Sequence, residues 1–158
     1  FKPLKDRNPE LILGMGGCIA QQEGKQLLEE FPYLDLVFGT HNVHRLPELV
    51  QNIADNRVRC EETAFLDRDT RLQLFPTRTG QDAYTRFVTV MQGCDNFCSY
   101  CVVPYVRGRE ISRPSGEILE EIRELASQGV REVTLIGQNV NSYGLNDKAE
   151  LSFAGLLQ

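Results

Sequence analysis

The sequence lacks tryptophan altogether, has only two histidines, and contains no apolar run near the roughly 18 residues that a membrane-spanning helix needs. Its first residues, FKPLKDRNPE, lack the basic segment followed by an apolar segment that marks a secretory signal. With 41% apolar residues over 158 positions, the composition is that of a globular chain. These features predict a soluble, cytoplasmic protein with no membrane partner.

The sequence also lacks an excess of positive charge. Its 22 acidic residues outnumber its 17 lysines and arginines, which gives a net charge of −5. Surfaces that bind nucleic acids are usually basic, so this balance gives no direct support for such a partner. The local exception is RGREISR, which contains Arg107, Arg109 and Arg113. Two interpretations stay open for these arginines: a solvated loop, or recognition of a phosphate or carboxylate.

Cysteine is present in an odd number and is concentrated in one place. Three of the five cysteines, Cys94, Cys98 and Cys101, lie in the stretch MQGCDNFCSYC. So tight a cluster favours a shared metal in a reducing compartment over a framework of disulfides. Three thiolates from one loop can bind three irons of a 4Fe-4S cluster and leave the fourth iron open. An open metal position is typical of a catalytic site, whereas structural sites are closed by protein ligands.

Two alternatives to an iron–sulfur site stay open at this stage. One is a zinc site that is completed from elsewhere in the chain, for which His41 and His44 are the only imidazole donors. The other is a set of buried, unreactive thiols.

The first third of the chain alternates apolar runs with helical patterns. LILGMGGC and LDLVFGT predict two strands, followed by helices at about 20–31 and 47–54. This alternation is typical of a parallel α/β unit. Residues 56–79 lose the periodicity and are predicted to be a linker, with one strand near 72–75.

A second α/β pattern follows the predicted linker. RFVTVMQ and EVTLIGQNVNSYG predict strands on either side of a helix, with Ser115 as its N-cap and an apolar stripe of Ile118, Ile122, Leu125 and Ala126. The three clustered thiols therefore follow the carboxyl end of a strand, where α/β folds place their active sites.

Four separated motifs carry a family resemblance. The spacing C-x3-C-x2-C in MQGCDNFCSYCVVPYVRGREISRPS resembles the signature of radical S-adenosylmethionine enzymes. Together with GGCIAQQEG, FGTHNVHRLPE and GVREVTLIGQNVNSYG, in this order along the chain, it resembles the methylthiotransferases. The resemblance is weakest at about residues 56–81.

The resemblance implies roles for the clustered cysteines. Cys94, Cys98 and Cys101 would hold a radical-generating 4Fe-4S cluster, whose open iron binds S-adenosyl-L-methionine. Tyr100 would lie against the adenine of this cosubstrate. The family uses no side-chain acid or base for the hydrogen abstraction, and the sequence shows no convincing Ser, His and Asp set.

The same resemblance implies roles outside the cysteine loop. Gln138 and Asn139 would contact the amino acid end of the cosubstrate, although loop amides that satisfy a turn are an equal alternative. Cys18 would be one of three ligands to a second 4Fe-4S cluster, whose other two ligands lie outside this chain. Cys60 matches no ligand position of the family and is interpreted as incidental.

The implied reaction is methylthiolation of carbon 2 of a prenylated adenosine next to the tRNA anticodon. Its partners would be tRNA and an electron donor of the flavodoxin or ferredoxin type, and the enzyme would be a monomer. Relatives that modify threonylcarbamoyl-adenosine in tRNA or a ribosomal-protein aspartate are the alternatives within the family. A zinc-binding structural or RNA-binding module is the non-enzymatic alternative.

The resemblance also implies a domain organisation. Residues 1–55 would end an N-terminal methylthiotransferase domain, 56–79 would be the linker, and 80–158 would start the radical S-adenosylmethionine core. A complete (β/α)8 barrel takes about 250 residues. The chain is therefore expected to be an internal fragment of a longer enzyme, with a truncated barrel and no activity alone.

Overall fold

The computed structural model describes residues 1–75, 84–146 and 151–158, in two compact units. Unit 1 consists of Phe1–Leu66 with Tyr105–Arg107, and unit 2 of Asp67–Pro104 with Gly108–Gln158. Each unit combines helices with parallel strands, so the α/β class predicted from the sequence is confirmed. Among the described residues, no helix has both the length and the apolar character to cross a membrane.

Unit 1 is built around a three-stranded parallel sheet in the order β1 (Gly14–Gly16), β2 (Leu36–Phe38) and β3 (Cys60–Glu62). Its other elements are α1 (Lys2–Arg7), α2 (Cys18–Glu23), α3 (Lys25–Glu30), a 3-10 turn at Val43–Arg45 and α4 (Leu46–Asn56). The helix predicted at 20–31 is thus two helices, because Gly24 has a φ of 49° and interrupts the backbone between α2 and α3.

The central strand β2 supplies both halves of the core of unit 1. Val37 is fully buried in a cluster with Ala20 and Leu27. Leu36, its neighbour in the strand, packs in a second cluster with Leu49 and Ile53 of α4. Successive side chains of a strand point to opposite faces, and a parallel strand between helices buries both. The apolar run in LDLVFGT reflects this position.

The predicted linker is partly wrong. Residues 56–66 belong to unit 1, because β3 pairs with β2 and completes the sheet. The strand predicted near 72–75 is also wrong, since α5 (Arg68–Gln73) occupies the segment and Asp67 caps it by accepting a hydrogen bond from the Thr70 amide. Residues 76–79 of the predicted linker, and 80–83 and 147–150 of the predicted core segment, lie outside the described residues.

Unit 2 contains the second parallel pair. Strand β4 (Thr85–Thr89) pairs in parallel with β7 (Glu132–Ile136), and the short strands β5 (Met91–Gln92) and β6 (Ile111–Ser112) pair antiparallel. The other elements are α7 (Ser115–Ser127), a 3-10 turn at Val140–Ser142 and α8 (Phe153–Leu156). Helix α6 (Val103–Arg107) is divided, since its first two residues belong to unit 2 and the rest to unit 1.

Helix α7 connects the two parallel strands and covers the core of unit 2. Ile118 and Leu125 are buried in a cluster with Val88, Val90, Met91 and Tyr143, as the apolar stripe predicts, but Ala126 is exposed. The predicted cap is also displaced: Pro114 is the N-cap, and Ser115 is the first helical residue. Pro114 has an extended backbone with φ −53°, which is compatible with a helix start.

Candidate metal centre

The cysteine loop, residues 93–101, begins directly after β5 at a glycine with a positive φ. Gly93 has a φ of 78°, and a Cβ atom there would lie 2.3 Å from the backbone oxygen of Arg109. Its N–H donates to Oε1 of Gln138 at 2.7 Å, and the Cys94 N–H donates to the Gly108 oxygen at 3.3 Å. The start of the loop is therefore held against two other chain segments.

The three thiols of this loop differ in accessibility. Cys94 is buried, Cys101 is half-buried and Cys98 is exposed, and none of them forms a disulfide. The Cys101 N–H donates to the Cys98 oxygen at 2.9 Å, which makes a turn between these two cysteines. Exposure of at least one thiol leaves the loop open to a ligand from solvent.

The fit of the loop to a metal is partial. Free thiols in one loop are the donors that iron–sulfur clusters use, so the donor set suits such a cluster. Within residues 1–75, 84–146 and 151–158, however, the side chains of His, Cys, Asp and Glu nowhere form a group of three or more that could hold a metal ion. The structure thus places the three cysteines in one loop without a shared coordination geometry, and their role as metal ligands stays a prediction.

A bidentate ion pair joins the loop to the segment just before β6. The Arg109 guanidinium donates from Nε to Oδ1 of Asp95 at 2.8 Å and from Nη2 to Oδ2 at 3.1 Å. The Glu110 N–H also donates to Oδ1 of Asp95, at 3.0 Å, and Nη1 of buried Arg71 donates to the Arg109 oxygen at 3.0 Å. The motifs of the sequence do not single out Asp95, Glu110 or Arg71, although an aspartate between two clustered cysteines and near an arginine-rich segment is a usable signal.

The electrostatics of this ion pair favour its charged form. Burial raises the pKa of the Asp95 carboxyl, but hydrogen bonds from the Glu110 amide and Arg109, with the charges of Arg109 and Arg71, outweigh burial and lower it. For Arg71, burial lowers the guanidinium pKa, and the nearby Asp95 charge opposes this effect. Asp95 is therefore ionised at neutral pH and is a permanent acceptor for Arg109.

Arg113 fits neither of the two interpretations of the arginine-rich segment. It is only 3% exposed, and its guanidinium pairs with Glu121 and, at 3.4 Å, with Glu117 of α7. It is therefore not a solvated side chain, and its charge is already neutralised by the protein. Arg109 is likewise engaged by Asp95, and Arg107 also has interaction partners.

The polar exit of β7 contacts the segments on both sides of the cysteine loop. Besides the bond between Gln138 and Gly93, Ser142 donates to Oε2 of Glu110 at 2.5 Å, and the fully buried Tyr143 donates its hydroxyl to the Arg113 oxygen at 2.8 Å. The motif GQNVNSYG thus ties the exit of β7 to the residues that flank the thiols.

The remaining residues predicted to contact the cosubstrate differ in exposure and in their contacts. Tyr100 is 90% exposed, so its ring is available to a ligand. Asn139 is half-buried, and its backbone oxygen accepts hydrogen bonds from Ser142. For Gln138, the carboxamide oxygen is occupied by the Gly93 amide, which is a contact within the protein.

Unit 1 contains the other two cysteines and both histidines. Cys18 is half-buried and is the first residue of α2, directly after Gly17, which has a φ of 110°. Cys60 of β3 packs against the cluster of Leu36, Leu49 and Ile53, in keeping with a structural role.

The surroundings of His41 bear on the zinc alternative. Its Nδ1 accepts from the Leu66 amide at 3.1 Å, and its Nε2 donates to the Arg107 oxygen at 3.1 Å. Both ring nitrogens are thus engaged in hydrogen bonds, so this imidazole would have to break one of them to bind a metal.

The different environments of the cysteines predict different reactivities in the cluster-free protein. Burial and, next, the negative charge of Glu62 raise the pKa of the Cys60 thiol above its usual value of 9.0, so its thiolate fraction at neutral pH is reduced. We expect iodoacetamide to modify exposed Cys98 well before Cys60, as measured by mass spectrometry of peptides over time. Equal rates would contradict the environment described for Cys60.

Comparison with known proteins identifies first a class and then particular relatives. Residues 88–155, which include the three clustered thiols, match the family model of the Radical SAM superfamily. The whole chain is 61% identical over 158 residues to the tRNA-2-methylthio-N(6)-dimethylallyladenosine synthase of Syntrophotalea carbinolica. It is 61% and 63% identical over the same length to the synthases of Geobacter sulfurreducens and Geobacter metallireducens.

The coverage of these matches is unequal. Each alignment includes 100% of this chain but only 36%, 35% and 35% of the three relatives. The chain thus spans about a third of the length of the curated relatives it matches. It is similar to these synthases over its whole length.

Proposed function

We propose that this chain is part of a radical S-adenosylmethionine enzyme that adds a methylthio group to carbon 2 of a prenylated adenosine in tRNA. The proposal rests on sequence identity. Over its whole length, the chain is 61% identical to tRNA-2-methylthio-N(6)-dimethylallyladenosine synthases. The loop of three free cysteines after β4 and β5 supports it, because this loop lies where α/β folds place active sites.

The superfamily implies a 4Fe-4S cluster and S-adenosylmethionine. Cys94, Cys98 and Cys101 are the residues of this chain that would hold the cluster, and their donor chemistry suits it. When bound, the cluster and its cosubstrate supply one-electron chemistry that removes a hydrogen atom from an unreactive carbon. We assign Cys18 to a second cluster, whose other ligands are not in this chain.

The protein's own contribution would be to orient these groups. The bonds from Gly93 to Gln138 and from Cys94 to Gly108 hold the start of the cysteine loop at the end of the strands. The ring of Tyr100 is exposed and is available for stacking on an adenine. For Gln138, the bond to Gly93 favours orientation of the loop over direct contact between its carboxamide oxygen and the cosubstrate.

The proposed architecture follows the two compact units. Unit 1 would belong to a methylthiotransferase domain, and the parallel pair β4 and β7 with α7 would be βα units of the radical S-adenosylmethionine barrel. The proposed partners are tRNA and an electron donor of the flavodoxin or ferredoxin type, acting on a monomeric enzyme. The cytoplasmic location stays a prediction.

The experiment that tests the function uses the full-length protein. It is reconstituted anaerobically with iron and sulfide and incubated with S-adenosylmethionine, a reductant and tRNA that carries prenylated adenosine. We expect mass spectrometry of the digested tRNA to show the methylthio product and Cys98→Ser to abolish it, because the cluster would lose one of three ligands. A parent enzyme that binds iron but leaves this nucleoside unchanged would refute the substrate assignment.

The same preparation distinguishes the alternatives. Conversion of threonylcarbamoyl-adenosine or of a ribosomal-protein aspartate would identify one of the other methylthiotransferase activities. A colourless protein that contains zinc in place of iron would instead identify a structural or RNA-binding module.

A further inference from the structure

Besides its thiols, the cysteine loop contributes a carboxylate to an ion pair. Asp95 lies between Cys94 and Cys98, and its two carboxylate oxygens each accept one bond from Arg109, which lies just before β6. Two parallel bonds fix the relative orientation of a carboxylate and a guanidinium, as one bond does not. The ion pair therefore connects the first half of the loop to the segment that leaves it.

The two partners are also anchored through the backbone. Asp95 accepts from the Glu110 amide at 3.0 Å, and the Arg109 oxygen accepts from the buried Arg71 guanidinium at 3.0 Å. The Arg109 side chain is 74% exposed and that of Asp95 is 26% exposed. An exposed pair adds little to global stability, so the bidentate and backbone-anchored geometry indicates a local orienting role.

Phe97 extends this arrangement to the exposed thiol. It has a φ of 45°, a left-handed conformation that is uncommon for an aromatic residue. The guanidinium carbon of Arg109 lies 5.6 Å from the centre of its ring, within the range of a cation–π contact. Phe97 directly precedes Cys98, so its backbone conformation sets the direction in which the chain enters Cys98.

We propose that Asp95, Arg109 and Phe97 form a clasp that positions Cys98 for cluster binding; this inference rests on the proposed function. The clasp acts through the cysteine and does not touch the substrate, so its members are positioning residues. Residues that orient metal ligands in this indirect way typically change metal affinity or activity by about 10- to 100-fold when they are replaced.

The first test measures the clasp in the cluster-free, full-length protein. Arg109→Ala should speed hydrogen exchange of peptides that cover residues 94–101 and leave peptides of α7 unchanged, as hydrogen-exchange mass spectrometry can show. Arg109→Lys should have a similar effect, because a lysine cannot make the bidentate bond. The matched control is Arg123→Ala, which removes an exposed arginine of α7 and should change neither region.

The second test uses the reconstituted protein. We expect Arg109→Ala and Asp95→Asn to release iron to a chelator about 10- to 100-fold faster than the parent, and to alter the electron paramagnetic resonance spectrum of the reduced cluster. Iron release, spectrum and loop exchange that match those of Arg123→Ala would overturn the clasp. The exchange measurement needs no cluster and no product, so a failed methylthiolation assay would leave this test of the clasp intact.

Discussion

Replacing Gly93 with alanine is expected to lower the methylthiolation rate of the full-length enzyme by about 100-fold, since a displacement of about 1 Å at a reacting group has this order of effect. The Cβ atom would lie 2.3 Å from the Arg109 oxygen and 2.6 Å from the Gly108 oxygen, and both are backbone atoms. The φ of 78° adds strain of about 1–3 kcal/mol for a residue with a side chain. The base of the cysteine loop must therefore move.

The measurement is a steady-state rate with prenylated tRNA, together with the iron content of the reconstituted protein. Gly116→Ala is the matched control, because Gly116 lies in the first turn of α7 and a Cβ atom there would meet no atom of the described part of the chain within 4 Å. It should leave rate and iron content unchanged. A Gly93→Ala enzyme with parental rate and iron content would show that the loop does not depend on this close backbone contact.

Arg113→Ala is expected to lower the free energy of unfolding around α7 by about 3–5 kcal/mol, because it leaves the carboxylate of Glu121 buried without its partner. The Arg113 side chain is 3% exposed and that of Glu121 is 10% exposed. Among the described residues, one carboxylate oxygen of Glu121 has no hydrogen-bond partner, so the carboxylate depends strongly on Arg113.

The change can be measured as urea-dependent hydrogen exchange of α7 peptides in the full-length protein. The double replacement Arg113→Met with Glu121→Leu should recover most of the loss, because it removes both buried charges. Arg123→Ala, on the exposed side of the same helix, should have little effect. If Arg113→Ala were as stable as Arg123→Ala, the pair with Glu121 would contribute nothing to this unit.

The arginine-rich segment shows why a sequence identifies charged side chains more readily than it identifies the residues that they contact. Arg109 and Arg113 are four residues apart in one short stretch, yet one is exposed and bonded to Asp95 while the other is buried against α7. Arg109 and Asp95 are 14 residues apart and Arg113 and Glu121 are eight apart, so these pairs form only when the loop and α7 have folded. The sequence alone left a solvated loop and anion recognition as equal alternatives.

The strand predictions show the same limit. The apolar run that became β2 has a strong local signal, because burial between helices requires consecutive apolar residues. Strand β3 contains Cys60, Glu61 and Glu62, which carry no such signal, and it exists because it pairs with β2. The segment of α5 has no regular apolar pattern that predicts a helix, but the Asp67 carboxylate caps the helix by accepting a hydrogen bond from the Thr70 amide.

The identity and spacing of the three clustered thiols, their position after a strand and the α/β class followed from the order of residues alone, because metal donors and apolar periodicity are local properties. Three contacts are decided by the tertiary structure alone. Asp95 pairs with Arg109, and Gln138 accepts a hydrogen bond from the Gly93 amide. Arg113 is buried beside Glu121. These contacts join residues that are separated along the chain. They form only when strands, loop and helix have packed, since hydrogen-bond geometry and burial are properties of the assembled fold.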